Sequence, residues 1–149
     1  MTQTLETYAG LDALTARDLM SPVSGTINAG ASLRDAVDRF MTGHGRHLIV
    51  LGDDGRCVGV LGPRHVAQAH RFDTRCDAEI PVEDLGCAPW IALKPDDDLR
   101  TCAQSLVEYD LDAIPVLDSE RRVLGVVTAH DIARAAADLP KARRPHDED

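Results

Sequence analysis

The chain has 149 residues, of which 44% are apolar, and this is enough to fill the core of one compact module. Its 25 acidic and 16 basic residues give a net charge of −9, which disfavours binding to nucleic acid and to anionic membrane surfaces. The sequence contains neither an apolar run of membrane-spanning length nor a recognisable signal peptide. We therefore expect a cytoplasmic protein with no nucleic acid or membrane partner.

The sequence repeats itself, because residues 14–71 align with residues 80–137 without a gap. The offset is constant at 66 positions, as Asp18 and Asp84 illustrate, and the apolar pattern agrees along the whole repeat. A repeat of this size is one supersecondary unit that cannot bury its apolar face alone. We therefore expect two copies packed around an approximate two-fold axis, with two equivalent clefts. The predicted boundaries are an N-terminal extension at 1–13, repeat 1 at 14–72, a polar linker at 73–79, repeat 2 at 80–139 and a flexible charged tail at 140–149.

Each copy begins with a short extended segment, near 26–27 in the first and 91–93 in the second, and a helix follows. Ser32 and Asp98 occupy equivalent positions, and either side chain can accept hydrogen bonds from the first free amides of a helix. Apolar residues then recur at i, i+3, i+4, i+7 and i+8, which is the pattern of one buried helical stripe. The sequence therefore predicts that a helix starts just after each of these two residues.

Two β-rich runs joined by a polar turn follow each of these helices, and this arrangement predicts a β-hairpin. A second helix is expected from Pro63 in the first copy and from Ala129 in the second. Each copy is therefore a β-α-β-β-α unit, and the fold class is mixed α/β (α+β) with pseudo-two-fold symmetry. The predicted hairpin runs are 48–51 with 57–61, and 113–117 with 123–127.

The four cysteines, Cys57, Cys76, Cys87 and Cys102, form no CxxC pair and no zinc-ligand spacing. We expect reduced thiols and no metal site. Cys57 begins an apolar strand and Cys102 falls on an apolar helix face, so both should be buried. Cys76 lies in the linker and is the one candidate for an exposed redox contact.

The second copy ends its hairpin with Gly125-Val126-Val127-Thr128, and Asp131-Ile132 follow in the next helix. Together with the stretch DLMSPV near the start of the first copy, this pattern resembles a CBS domain, the unit named after cystathionine β-synthase. The resemblance covers about residues 14–139, and the tandem is similar to a CBS-pair regulatory module. It implies binding of adenine nucleotides or related adenosyl compounds between the copies, and signalling to a catalytic or transport domain.

Thr128 and Asp131 carry chemistry that can be argued from the residues themselves. Thr128 stands where a strand becomes a helix, so its hydroxyl and the free helix amides point at one spot that suits a phosphate. Asp131 offers two carboxylate oxygens for the vicinal hydroxyls of a ribose. Thr-x-x-Asp is also a capping-box pattern that stabilises a helix without any ligand, so the residues alone leave both interpretations open. Val126 precedes this motif, and His130 either faces the phosphates or is merely exposed.

The other wall of this site follows from the resemblance. It implies Val23 and Gly25 before the first strand, and Gly45 and Arg46 before the hairpin. Arg46 would supply the positive charge that a polyphosphate needs. The alternative is that this segment is a solvated loop whose cations are simply exposed.

The first copy departs from the motif, because Gly62 replaces the threonine and His65 replaces the aspartate. We expect the helix to survive and the ribose contact to be lost in this opposite, degenerate cleft. Arg64 and the helix amides can still take an anion there. Trp90 is expected on its wall, either to stack on a base or to act as a core or interface anchor.

The sequence thus favours a stand-alone regulatory sensor that binds AMP, ADP, ATP or another adenosyl ligand and signals to an unidentified protein partner as a homodimer. No cofactor is required. The alternative is a dimerisation scaffold that binds partners without a ligand. An enzyme is not expected, because the sequence offers no nucleophile with a base, no metal constellation and no paired carboxylates.

Overall fold

The computed structural model describes residues 10–11, 13–43, 46–86 and 91–138. Within them, the two copies follow the predicted order of helices and strands, and the mixed α+β fold class is confirmed. The first copy contains α1 (Ala16–Leu19), β1 (Thr26–Asn28), α2 (Leu33–Met41), β2 (Leu48–Leu51), β3 (Cys57–Leu61) and α3 (Pro63–Phe72). The second contains α4 (Leu99–Glu108), β4 (Ala113–Leu117), β5 (Val123–Thr128) and α5 (Ala129–Asp138), and two 3₁₀ helices, Asp77–Glu79 and Val82–Asp84, precede these four elements.

The sheets of the two copies share one pairing pattern. β1 runs parallel to β2 and β2 antiparallel to β3, while β4 and β5 form an antiparallel pair with the same register irregularity as β2 and β3. Ile27 in β1 pairs with Val50, and the equivalent Leu93 pairs with Val116. The extended segment predicted at 91–93 is therefore present as a single parallel bridge rather than as a strand.

The predicted helix starts at α2 and α4 are confirmed. Ser32 Oγ accepts a hydrogen bond of 3.2 Å from the Asp35 amide, and Asp98 Oδ1 accepts one of 2.8 Å from the Thr101 amide. Each side chain satisfies an amide that has no partner within the helix, which typically contributes about 1 kcal/mol.

The core of each copy is completed by the N-terminal segment of the other copy. Ala16 is buried among second-copy residues and Val82 among first-copy residues, and neither side chain is accessible to solvent. The Ala16 amide donates to Asp97 O at 2.8 Å, and the Val82 amide donates to Ala31 O at 2.7 Å. Neither copy therefore closes its core alone, as expected of a repeat of this size.

A third apolar cluster joins the two hairpins across the middle of the molecule. Cys57 lies in it, and its amide donates to Arg121 O at 3.2 Å while the Arg121 guanidinium donates to Cys57 O at the same distance. These contacts fix the relative position of the two sheets. The cluster consists of Ile49, Cys57, Ala113, Leu117 and Val126.

The cysteines behave as predicted where the structure describes them. Cys57 and Cys102 are buried, Cys76 is exposed, and all three are free thiols. Burial raises the pKa of Cys102 to about 11, which keeps its thiol protonated and unreactive at neutral pH. Cys87 lies outside the described residues.

Two structural features are absent from the described part of the chain. No helix there is long and apolar enough to cross a membrane. In the same residues, no three His, Cys, Asp or Glu side chains come together in a group that could hold a metal ion.

Candidate functional site

The junction between β5 and α5 is built as a reciprocal capping box. The Asp131 amide donates to Thr128 Oγ1 at 3.1 Å, and the Thr128 amide donates to Asp131 Oδ2 at 2.9 Å. Thr128 Oγ1 also donates to Asp131 Oδ2 at 3.0 Å. The capping interpretation of Thr-x-x-Asp is therefore realised, and it fixes both side chains at the start of the helix.

A first-copy side chain holds the other oxygen of the Asp131 carboxylate. Ser21 Oγ donates to Asp131 Oδ1 at 2.6 Å, and the backbones of Ser21 and Val126 exchange hydrogen bonds of 2.9 and 3.0 Å. Among the described residues, Asp131 is the one buried charged side chain, with 4% of its surface exposed. Its carboxylate is thus satisfied by three hydrogen-bond donors, as burial of such a group requires.

The corresponding junction between β3 and α3 keeps the same geometry with different groups. The Gly62 amide donates to His65 Nδ1 at 2.9 Å, which is the equivalent of the bond from the Thr128 amide to Asp131. The imidazole therefore replaces the carboxylate as the acceptor that caps the helix. Gly62 supplies no hydroxyl to a ligand or to the cap. Burial lowers the pKa of His65, and the adjacent Arg64 lowers it further, so the neutral ring that this cap requires is favoured.

Both junctions open onto one cleft of about 770 Å³. Residues related by the repeat offset line it in pairs, namely Pro63 with Ala129 and Arg64 with His130. The cleft therefore lies on the pseudo-two-fold axis, and the positive ends of the dipoles of α3 and α5 both face it. The lining residues are Ser21, Pro22, Val23, Ser24, Arg46, His47, Ile49, Pro63, Arg64, Asp112, Val126, Thr128, Ala129 and His130.

The two halves of the cleft differ in charge. Arg46 of the first copy corresponds by the repeat offset to Asp112 of the second, and both line the cleft. Arg64 spans the gap, since its guanidinium lies 3.4 Å from Asp110 Oδ2 and 3.7 Å from Asp112 Oδ2. All three of these side chains are well exposed, so each ion pair is worth at most about 1 kcal/mol. Arg64 is therefore held only weakly by Asp110 and Asp112.

His47 lines the cleft beside the start of α3, where its ring lies 3.6 Å from the position that a Cβ on Gly62 would occupy. Burial lowers the pKa of His47, and the positive charge of Arg46 lowers it further, whereas Asp112 acts in the opposite direction. The ring is consequently neutral near pH 7, and the positive charge of this wall comes from Arg46 and Arg64.

The cleft brings together many of the residues singled out from the sequence. Arg64 was expected in an opposite cleft, and it lines the same cleft as Thr128, because the two helix starts face each other across the axis. The predicted residues that line the cleft are Val23, Arg46, Arg64, Val126, Thr128 and His130. Those that do not are Gly25, Gly62, His65 and Asp131, and two more, Gly45 and Trp90, lie outside the described residues.

Several cleft residues were not among the predicted site residues, and Asp112 and Ser21 are two of them. Asp112 could have been found, because it occupies the repeat position of Arg46, which had been singled out. Ser21 gives no local signal, since its partner Asp131 is 110 positions away and meets it only after the two copies have packed.

A profile described as "CBS domain" matches residues 16–71 and again residues 82–138. The chain belongs to the CBS-domain family. The match covers both copies and most of the chain, so the resemblance of the second-copy motif extends to the first copy despite Gly62 and His65.

Proteins similar to this CBS pair include longer enzymes and isolated pairs. L-aspartate semialdehyde sulfurtransferase of Methanosarcina acetivorans is 27% identical over 124 residues, which is 81% of this chain and 23% of that protein. The chain spans about a quarter of the length of the curated relatives that it matches.

Two solved structures share the fold at lower identity. The CBS domain pair of protein MJ0100, in complex with 5′-methylthioadenosine and S-adenosyl-L-methionine, superposes with a TM-score of 0.73 at 23% identity, covering 84% of this chain and 97% of that one. CBSX2 in complex with AMP gives a TM-score of 0.70 at 23% identity, covering 85% of this chain and 98% of that one.

Proposed function

We propose that this CBS pair is a regulatory module that binds an adenine nucleotide or a related adenosyl compound in the cleft on its pseudo-two-fold axis. Binding would change the relative position or the rigidity of the two copies. A partner protein would then recognise the changed surface. A ligand can shift the equilibrium between two arrangements of the copies only if it binds one arrangement more tightly than the other.

The observation that carries this proposal is the convergence of positive groups on one cleft of suitable size. The N-terminal ends of α3 and α5 face it, and Arg46 and Arg64 line it. Helix N-termini and guanidinium groups are the features that bind phosphates in proteins. The cleft volume of about 770 Å³ lies within the range of small-molecule sites, about 300 to 1,000 Å³.

The bound ligands of the structural neighbours point to the same chemical class. 5′-Methylthioadenosine, S-adenosyl-L-methionine and AMP, present in the two neighbours described above, share an adenosyl group. AMP has a phosphate for Arg46 and Arg64, whereas S-adenosyl-L-methionine has a sulfonium for which Asp112 is the better partner. The cleft offers both kinds of charge, so we propose the adenosyl class as a whole.

We propose a non-catalytic role that needs no cofactor. The enzyme names of the curated relatives belong to proteins of which this chain spans only about a quarter. The activity of those proteins therefore gives no reason to assign catalysis to the CBS pair.

We further propose that two chains associate through α2 and α4. Met41 and Val107 occupy equivalent positions near the ends of these helices, and each side chain is 81% exposed. Matching apolar residues on two helices related by the pseudo-two-fold axis suit a symmetric interface, which would cover them.

A ligand-free interaction scaffold is the second candidate. The observation in its favour is that Asp131 is satisfied within the protein and does not line the cleft. In this alternative the Thr128–Asp131 pair serves only to hold the two copies together.

Thermal unfolding with AMP, ADP, ATP, NAD and S-adenosylmethionine separates the two candidates. A ligand at 100 times its dissociation constant adds about 2.7 kcal/mol to the free energy of unfolding. We expect such a shift with at least one compound. Arg64→Ala should reduce the shift for the phosphate-bearing compounds, while the exposed Arg122→Ala, in the turn between β4 and β5, should leave it unchanged. If no compound shifts the unfolding temperature, the scaffold is the correct interpretation.

A further inference from the structure

We propose that Ser21 is a built-in competitor of the ligand: its hydroxyl occupies the position on Asp131 that a ribose hydroxyl takes when a ligand binds. This inference rests on the proposed function, because it requires a ligand that carries a ribose. It concerns regulation of the same cleft by a first-copy residue outside the Thr-x-x-Asp motif.

The oxygens of Asp131 are already engaged in the ligand-free protein. Oδ2 accepts from the amide and from the hydroxyl of Thr128, and Oδ1 accepts from Ser21 at 2.6 Å. Arg134 lies 3.9 Å from Oδ1, and 2% of the Asp131 side chain is exposed. Each oxygen of the carboxylate therefore already has a hydrogen-bond donor from the protein, and almost none of the side chain is accessible to solvent.

Ser21 stands between this carboxylate and the cleft. Ser21 and Thr128 both line the cleft, whereas Asp131 does not. Since Thr128 belongs to the capping box of α5, moving it would disrupt the start of the helix. A ligand hydroxyl that reaches Asp131 must therefore displace the hydroxyl of Ser21.

A ligand can displace the Ser21 hydroxyl by rotating the side chain alone, because the backbone around Ser21 is held in place. Its amide and carbonyl both bond to Val126, and Met20 packs so closely on Gly125 that a Cβ there would lie 2.8 Å from the Met20 sulfur. The side chain of Ser21 can instead rotate about χ1 between staggered positions. This rotation breaks the hydrogen bond from Ser21 to Asp131, which joins the two copies, and Asp131 then accepts a hydrogen bond from the ligand. Ligand binding would therefore remove one contact between the copies.

Removal of the Ser21 hydroxyl should therefore strengthen binding of ribose-bearing ligands. Calorimetric titration of the full chain with AMP and with S-adenosylmethionine tests this. We expect Ser21→Ala to bind whichever of the two the wild type binds at least about tenfold more tightly, which corresponds to about 1.4 kcal/mol. Ser21→Cys, whose thiol is a weaker donor, should give a smaller gain in the same direction. Ser119→Ala, a change in the exposed turn between β4 and β5, should leave the affinity at the wild-type value.

A ligand without ribose hydroxyls supplies the decisive control. 2′,3′-Dideoxyadenosine 5′-monophosphate cannot compete for Asp131, so Ser21→Ala should not improve its affinity. If the wild type binds AMP or S-adenosylmethionine and both Ser21 variants bind it equally or less tightly, the competitor role is wrong and the proposed function stands. The same holds if the dideoxy compound gains as much as AMP. If neither probe binds to any variant, both proposals fall.

Discussion

The starts of α3 and α5 face each other across one cleft, and they use different acceptors to form the same cap. In α5 the acceptor is the buried Asp131 carboxylate, which is also tied to Ser21 of the first copy. In α3 it is the His65 ring, which accepts a hydrogen bond from the Gly62 amide. The comparison indicates that the fold needs an acceptor at this position of each repeat. In α5 the carboxylate also provides a link to the other copy, and it is the group that the proposed ribose contact requires.

The largest expected difference between the two starts concerns stability. Asp131→Ala removes the cap and the hydrogen bonds that Ser21 and Thr128 donate to a charged carboxylate, which we expect to lower the free energy of unfolding by about 3 kcal/mol. His65→Ala removes a cap alone and should lower it by about 1 kcal/mol. Urea unfolding of the two variants measures this difference. Equal losses would mean that the link between Ser21 and Asp131 adds nothing to stability.

The close approach between the copies beside Ser21 gives the next largest effect. A Cβ at Gly125 would lie 2.8 Å from the sulfur of Met20 and 2.9 Å from Ser21 O. Gly125→Ala should therefore destabilise the protein by about 2 kcal/mol, because the first-copy segment has to shift. Leu124→Ala, at the exposed neighbouring position, should change the free energy of unfolding by less than about 0.5 kcal/mol. If Gly125→Ala is as harmless, the segment that carries Ser21 is not fixed as described.

The smallest expected effect is a dependence of the free energy of unfolding on pH, which comes from the histidines near the start of α3. Because burial lowers the pKa of His65 and of His47 below the ordinary value of 6.5, the unfolded chain binds more protons than the folded one just below that pH. The stabilisation by the neutral rings is fully present above about pH 6.5 and is lost as the pH falls toward their lower folded-state values. Both rings are partly exposed, so the loss should be well below about 1.4 kcal/mol per pH unit for each.

Urea unfolding between pH 7.5 and 5.5 measures this loss. His65→Gln and His47→Gln should each reduce the slope, whereas His70→Gln, at an exposed ring that pairs with Asp77, serves as the matched control. A slope that is unchanged in both the His65 and the His47 variant would contradict the neutral cap in α3.

The repeat made most of the fold predictable. Ser32, Asp98, Pro63 and Ala129 located the helices from local patterns, because caps and apolar spacing act within a few residues. The exchange of N-terminal segments was not predictable in this way. The apolar pattern around Ala16 is the same whichever copy buries it, so the sequence cannot say which core it joins.

The candidate site was predicted less completely. Thr128 and Arg46 were found through the motif and its family, and the cleft contains both. Arg64 was predicted in the opposite cleft, whereas the structure places it beside Thr128 in one cleft, and this placement depends on how the two copies pack. Ser21 was missed for the same reason, because its contact with Asp131 joins residues 110 positions apart.

Native mass spectrometry with AMP, ADP, ATP, NAD and S-adenosylmethionine counts ligands per chain. It tests most directly the proposal that the Thr-x-x-Asp motif of the second copy supports ligand binding, whereas the degenerate motif of the first copy does not. We predict one adenosyl ligand per chain for the wild type. We predict a second for the double variant Gly62→Thr/His65→Asp, which restores Thr-x-x-Asp to the first copy. Two ligands per wild-type chain, or none with any compound, would contradict the account.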